Sequence, residues 1–200
     1  MDTGLAMKVL INLIHYPVHV LGVGKRIGVW FQGCSIRCKG CMSQYTWKFD
    51  KKFERDIEEV LKEIKSYGVK KITFSGGEPF DQPEQLKYIL KELKKSGFED
   101  ILVYTGYEYD EIKKRYGDIL KYIDVLIAGR FIEGLESDYI WKGSENQKMY
   151  IFNKKLENVY KKYKKMKKNK ELQIVEKNND IYILGIPYQK DIKGFIDGFM

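Results

Sequence analysis

The sequence predicts an α/β protein on mostly parallel strands, closed by a C-terminal helix and a β-hairpin. Short apolar runs of strand length alternate with stretches whose apolar residues recur at helical spacing. Glycines stand where those helical stretches should stop, at Gly68 and Gly97. With 200 residues, the chain is long enough for one substantial core and too short for two comfortable domains.

Strands are expected over residues 9–14 and 27–31, the second running directly into a cluster of cysteines. Phe53, Ile57, Val60, Leu61 and Ile64 then mark an amphipathic helix that Gly68 ends. Residues 70–74 read as the next strand, closing in Ser75-Gly76-Gly77-Glu78-Pro79 and completing a βαβ unit. Asp81 and Pro83 open a second helix, with Leu86, Ile89, Leu90 and Leu93 inward and a stop at Gly97. A strand at 101–104, a short helix around 111–116 and a strand at 125–128 follow. This alternation predicts a parallel sheet with right-handed crossovers, either open or a partial barrel. In both, ligands gather at the C-terminal ends of the strands. Cys34 to Cys41, Gly76 to Glu78, Thr105 and Arg130 all follow expected strands, so they can meet at one mouth.

Beyond a strand at 149–152, Leu156, Val159, Tyr160, Tyr163 and Met166 place a helix under the lysine run of residues 161–170. Strands at 172–175 and 181–186, around a turn at 177–180, form the terminal hairpin. The organisation expected is a core of residues 1–153 that carries the chemistry and an appendage of residues 154–200. The net charge of +8 is concentrated in the lysine run. Those lysines read most simply as the solvated face of a helix, with a docking face for an acidic partner as the alternative. Nucleic acid is not the expected partner. No apolar run reaches bilayer-spanning length and the N-terminal region has neither signal nor transit character, so a cytoplasmic location without membrane association is expected.

Cys34, Cys38 and Cys41 are the only cysteines in the chain. An odd trio in one loop cannot pair off into disulfides. A structural zinc site of the Cys3His type would need His15 or His19, both upstream of the loop. Three cysteines within eight residues, among Gly33, Arg37, Lys39 and Gly40, do not read as core. A cubane iron–sulfur cluster takes four ligands, so three thiolates leave one iron open to a ligand that is not cysteine. A non-catalytic electron-transfer or zinc module remains the alternative, which metal and sulfide analysis separates.

The C-x3-C-x2-C loop with Gly76-Gly77-Glu78-Pro79 resembles the radical S-adenosylmethionine (SAM) enzymes, whose fold is a partial (β/α) barrel. Gln32-Gly33-Cys34, Thr46-Trp47, Tyr104-Thr105-Gly106-Tyr107, Gly129-Arg130-Phe131, and Gly143-Ser144 followed by Asn146-Gln147-Lys148 extend the resemblance. They point to the activating enzymes of anaerobic ribonucleotide reductase, over about residues 24–150. The resemblance implies that Cys34, Cys38 and Cys41 hold a [4Fe-4S] cluster and that SAM chelates its fourth iron. Reductive cleavage of SAM would then give a 5′-deoxyadenosyl radical that takes hydrogen from a glycine of a partner enzyme. It also implies SAM contacts from Gly40, Met42, Gly76, Gly77, Glu78 and Thr105, contacts to SAM or substrate from Arg130, Asn146 and Gln147, and a reduced flavodoxin or ferredoxin as electron donor. The chain departs from the family at Gly22-Val23-Gly24, Ser43-Gln44-Tyr45 and Ala128. The last two lie near the expected site and leave open a small-molecule substrate, such as a deazapurine precursor, or a ribosomal peptide.

Overall fold

The computed structural model describes residues 7–167, 171–177 and 179–188. Lys168, Asn169 and Lys170 of the lysine run, Asn178 of the hairpin turn and residues 189–200 lie outside the described residues. A seven-stranded sheet runs in the order β3-β1-β2-β4-β5-β6-β7. Its strands are β1 (Lys8–Val18), β2 (Arg26–Phe31), β3 (Glu54–Asp56), β4 (Lys71–Gly76), β5 (Asp100–Thr105), β6 (Val125–Ala128) and β7 (Lys148–Ile151). The expected α/β fold is present, with β2, β4, β5 and β6 parallel at the centre. The antiparallel strands lie outside them: β1 beside β2, β3 beside β1, and β7 beside β6. The sheet ends at β3 and β7 and does not close.

Helices α1 (Ile57–Ser66), α2 (Pro83–Lys95) and α3 (Tyr109–Leu120) bury one face of the sheet. Val60, Ile64, Leu86, Ile89 and Leu93 pack with Val29, Phe31, Ile72, Phe74, Ile101 and Val103 in one cluster. Each such side chain contributes about 1.5–3 kcal/mol by leaving water. The opposite face is covered by the C-terminal segments. Helix α4 (Glu157–Lys164) brings Tyr160 against Leu102, Val125, Ile127 and Trp141. The hairpin of β8 (Gln173–Lys177) and β9 (Asp180–Leu184) brings Val175 and Leu184 against Leu13, Val18, Leu21 and Trp30.

Several boundaries differ from those read in the sequence, each for a local reason. The helix expected from Phe53 begins at Ile57, because residues 54–56 pair with β1 and Asp56 caps α1 by accepting from Glu58 N–H at 2.9 Å. Helix α3 is longer than expected and kinks at Tyr116. Helix α4 stops at Lys164; Tyr160 is its one buried residue, while Val159 and Met166, expected inward, are exposed.

A charged residue sits beneath the parallel strands. Arg26, at the start of β2, is 0 % exposed and pairs with Asp100, at the start of β5, at 3.1 Å. Its guanidinium also donates to Ile72 O at 2.7 Å and to Tyr160 Oη at 3.1 Å. The Tyr160 hydroxyl donates to Asp100 at 2.6 Å, which ties α4 to the bottom of the sheet.

Candidate iron–sulfur site

The three cysteines lie just beyond the C-terminal end of β2, in a loop whose two ends are stitched together. Gly33 N–H donates to Thr46 O at 2.7 Å and Cys34 N–H to Trp47 O at 3.0 Å. Buried Gln32 donates to Lys48 O at 2.6 Å and accepts from Asn12 Nδ2 at 2.9 Å. Buried Gln82 donates to Gln32 O and joins Leu10 through both its amide atoms. The segment from 33 to 47 is thus a compact loop fixed at its base, a geometry that holds ligands on a rigid scaffold.

A clamp not anticipated from the sequence fixes the residue after Cys34. The Asp81 carboxylate accepts from Ser35 N–H at 2.6 Å, Ser35 Oγ at 2.9 Å and Tyr107 Oη at 2.6 Å. Partial burial and the adjacent Asp81 carboxylate push the Tyr107 phenol up to about 12, so it remains a donor. Asp81 was legible as a helix opener; its hold on the cysteine loop depends on β4 and β2 lying side by side.

The strand-end turn after β4 presses against that loop. Gly76 has φ +96°, and a Cβ there would come within 2.6 Å of Phe31 N. A Cβ on Gly77 would overlap the Gly33 carbonyl. Gly77 N–H donates to Phe31 O and Glu78 N–H to Gly33 O, both at 2.8 Å. These glycines therefore serve the close approach of two backbones, and the amides of Gly77 and Glu78 are already engaged.

Glu78 is buried, and both its carboxylate oxygens have partners. Oε1 accepts from Thr105 Oγ1 at 2.8 Å and Phe80 N–H at 3.0 Å, and Oε2 from Gly106 N–H at 2.7 Å. Burial pushes this carboxyl up to about 7 from 4.5, against the hydrogen bonds that favour its ionised form. The folded state therefore holds a proton that the unfolded chain has released between those two values. Stability from this group is full below 4.5 and is lost as pH rises to about 7, a change of about 3 kcal/mol. Urea denaturation of the apo protein at pH 5 and pH 8 should show this loss, and Glu78→Gln should lack it; equal pH dependence in the two proteins would contradict the assignment.

A cavity of about 200 Å³ opens at this edge of the sheet. Cys34, Cys38, Cys41, Gly40, Met42, Gly76, Gly77, Glu78, Thr105 and Gln147 all line it. Arg130 is exposed and does not line it; its carbonyl accepts from Asn146 Nδ2 at 2.8 Å. Gln147 accepts from Gly143 N–H at 2.7 Å and donates to Gly129 O at 2.9 Å. Asn146 and Gln147 thus brace the loop after β6. Glu136, which no sequence pattern had marked, brings a second carboxylate to the lining.

The donor set suits an iron–sulfur cluster. The thiols are unpaired, Cys34 buried and the other two half-buried. Burial raises the Cys34 and Cys38 thiols, so as free thiols they stay protonated until a metal displaces the proton. Amide N–H groups face all three sulfurs: Ile36 and Arg37 at Cys34, Phe131 at Cys38, and Ser43 at Cys41 at 3.4 Å. Such hydrogen bonds to sulfur are among the controls on cluster potential. The lining holds no fourth cysteine and no histidine among the described residues.

Loop, cavity and thiols together present three cysteines, at the C-terminal edge of a parallel sheet, whose chemistry fits an iron–sulfur protein. The family model for a 4Fe-4S single cluster domain matches residues 20–150. The anaerobic ribonucleoside-triphosphate reductase-activating protein of Haemophilus influenzae is 35% identical over 150 residues, which cover 70% of this chain and 97% of the relative. The protein of the same name from Escherichia coli K12 is 32% identical, over 66% of this chain and 93% of its own. That from Enterobacteria phage T4 is 30% identical, over 68% and 90%. Among solved structures, QueE from Escherichia coli aligns with a TM-score of 0.43 and 20% identity over 50% of this chain and 52% of its own. The chain belongs to the family of anaerobic ribonucleoside-triphosphate reductase-activating proteins. The family model gives it a [4Fe-4S] cluster as cofactor.

Proposed function

We propose that this protein activates an anaerobic ribonucleotide reductase by generating a glycyl radical on it. The observation that carries the reading is the meeting of three cysteines from one loop with the Gly76-Gly77-Glu78 turn and Thr105 around a single cavity. Cys34, Cys38 and Cys41 would hold the cluster. When bound, the cluster and SAM supply a one-electron cleavage of SAM and, from it, a carbon-centred radical able to take hydrogen from glycine.

The chain's own residues orient and shield. Gly40 and Met42, on either side of Cys41, and Thr105, opposite the cysteine loop, form the SAM walls. Glu78 fixes Thr105 and Gly106 in place, and its engaged oxygens make it a positioning residue. Gln147 and Asn146 hold the loop that carries Phe131 over the cavity. The apolar lining excludes water from reactive species.

No helix is long and apolar enough to cross a membrane among the described residues. A cytoplasmic location, where thiols stay reduced, agrees with the exposed half of the cysteine loop. A reduced flavodoxin or ferredoxin, acidic enough to suit a chain of net charge +8, is the electron donor that fits.

Anaerobic mixing of the iron-loaded, reduced protein with SAM and the cognate reductase should yield a doublet glycyl signal by electron paramagnetic resonance. No such signal, with SAM cleaved in the same tube, would exclude this substrate. SAM cleavage that rises with a small molecule and not with the reductase would favour the small-molecule reading.

A further inference from the structure

The family match stops at residue 150, and 97% of the Haemophilus influenzae relative is covered by an alignment that takes in only 70% of this chain. The β8–β9 hairpin therefore stands outside the match, yet it walls the same cavity as the cysteines. Ile183, Leu184, Gly185, Ile186 and Pro187 all line it.

The hairpin is firmly attached. Gln173 donates to Pro17 O at 2.6 Å and accepts from His19 N–H at 3.1 Å. Lys177 donates to Ile14 O at 2.7 Å. Val175 and Leu184 are 6 % and 1 % exposed.

Its other face is open and mostly apolar. Ile174 pairs with Ile183 and Glu176 with Ile181, so alternation puts Ile174, Ile181 and Ile183 on one side, with the exposed Glu176 among them. Ile174 is 58 % and Ile181 71 % exposed, and Ile183 leads from them into the cavity wall. The side chains of residues 183–187 offer no hydrogen-bonding group. A charged small molecule gains no partner from such a wall. An extended peptide gains apolar contacts and main-chain partners along a strand edge, since neither β8 nor β9 has a further sheet neighbour among the described residues.

We infer that the β8–β9 hairpin is the docking wall for an extended, apolar peptide segment of the partner, the segment that brings the glycine into the cavity. This rests on the glycyl-radical reading above and deepens it: the hairpin helps select the substrate. Ile174 and Ile181 anchor the peptide outside the cavity, and Ile183 to Pro187 guide it inward.

The test uses the full-length, iron-loaded protein with Ile174→Lys and Ile181→Lys combined, positions exposed enough to leave the fold intact, as a thermal melt verifies. SAM cleavage under dithionite without partner should stay within about twofold of wild type. The KM for the reductase in glycyl-radical formation should rise at least about tenfold, the size set by one or two apolar anchors, with kcat little changed. An unchanged KM, or an equal loss of partner-free SAM cleavage, would overturn the inference. A wild-type protein that cleaves SAM and leaves the reductase without a radical would instead remove the reading on which it rests, and the inference with it.

Discussion

Replacing Cys38 or Cys41 with serine should abolish the iron–sulfur absorbance of the reconstituted protein and bring SAM cleavage down to the protein-free background. This is the largest functional effect expected from any single substitution in the chain. In the proposed site each thiol would supply one of three protein ligands, and the sequence holds no other cysteine to take its place. The fold should be nearly indifferent. Both residues are half-buried in a loop held by Gln32, Thr46, Trp47 and Asp81, none of which uses their sulfurs. Apo stability should therefore shift by no more than about 0.5 kcal/mol, as for ordinary surface changes. Iron and sulfide analysis with chemical denaturation checks both halves. A serine variant that retains a full cluster would show that a ligand outside the cysteine loop has been overlooked.

Asp100→Ala carries the largest expected effect on stability. Arg26 and Asp100 have side chains 0% and 2% exposed, so removing the carboxylate strands a guanidinium in the core. Breaking such a pair costs about 3–5 kcal/mol, which for a chain of this size lowers Tm by about 10 °C. Tyr160 would lose the acceptor of its hydroxyl at the same time, loosening α4 from the sheet. Replacing both charges together, Arg26→Met with Asp100→Leu, should recover most of the loss, because an apolar pair carries no desolvation cost. Thermal melts of the single and double variants decide this. Equal destabilisation in the two would mean that the polar network does more than neutralise itself.

The parallel core was readable because its strands and helices obey separate periodicities, with Ile72, Phe74, Ile101 and Val103 in short apolar runs and Val60, Ile64, Leu86 and Leu93 at helical spacing. The cysteine loop and the Gly76-Gly77-Glu78 turn were readable because both follow strands, and parallel strands deliver their ends to one edge. What escaped was contact between residues far apart in sequence. Asp81 clamps Ser35 across 46 positions, and Arg26 meets Tyr160 across 134. Local pattern encodes neither. β3 escaped because its three residues carry no alternation of their own and are defined by pairing with β1. Glu78 and Gln147, expected as contacts to SAM or substrate, line the cavity, but sequence alone could not show that their hydrogen bonds are spent on Thr105, Gly106, Gly129 and Gly143. The hairpin was anticipated as an element, whereas its seat beside the cysteines follows from Val175 and Leu184 finding Leu13 and Trp30.

The most direct measurement is anaerobic reconstitution with iron and sulfide, followed by metal analysis and electron paramagnetic resonance of the reduced protein with and without SAM. About four iron and four sulfide per chain are expected, with a cluster spectrum that changes when SAM is added, as an iron open to an outside ligand requires. Zinc without sulfide, or a cluster whose spectrum is indifferent to SAM, would contradict that expectation.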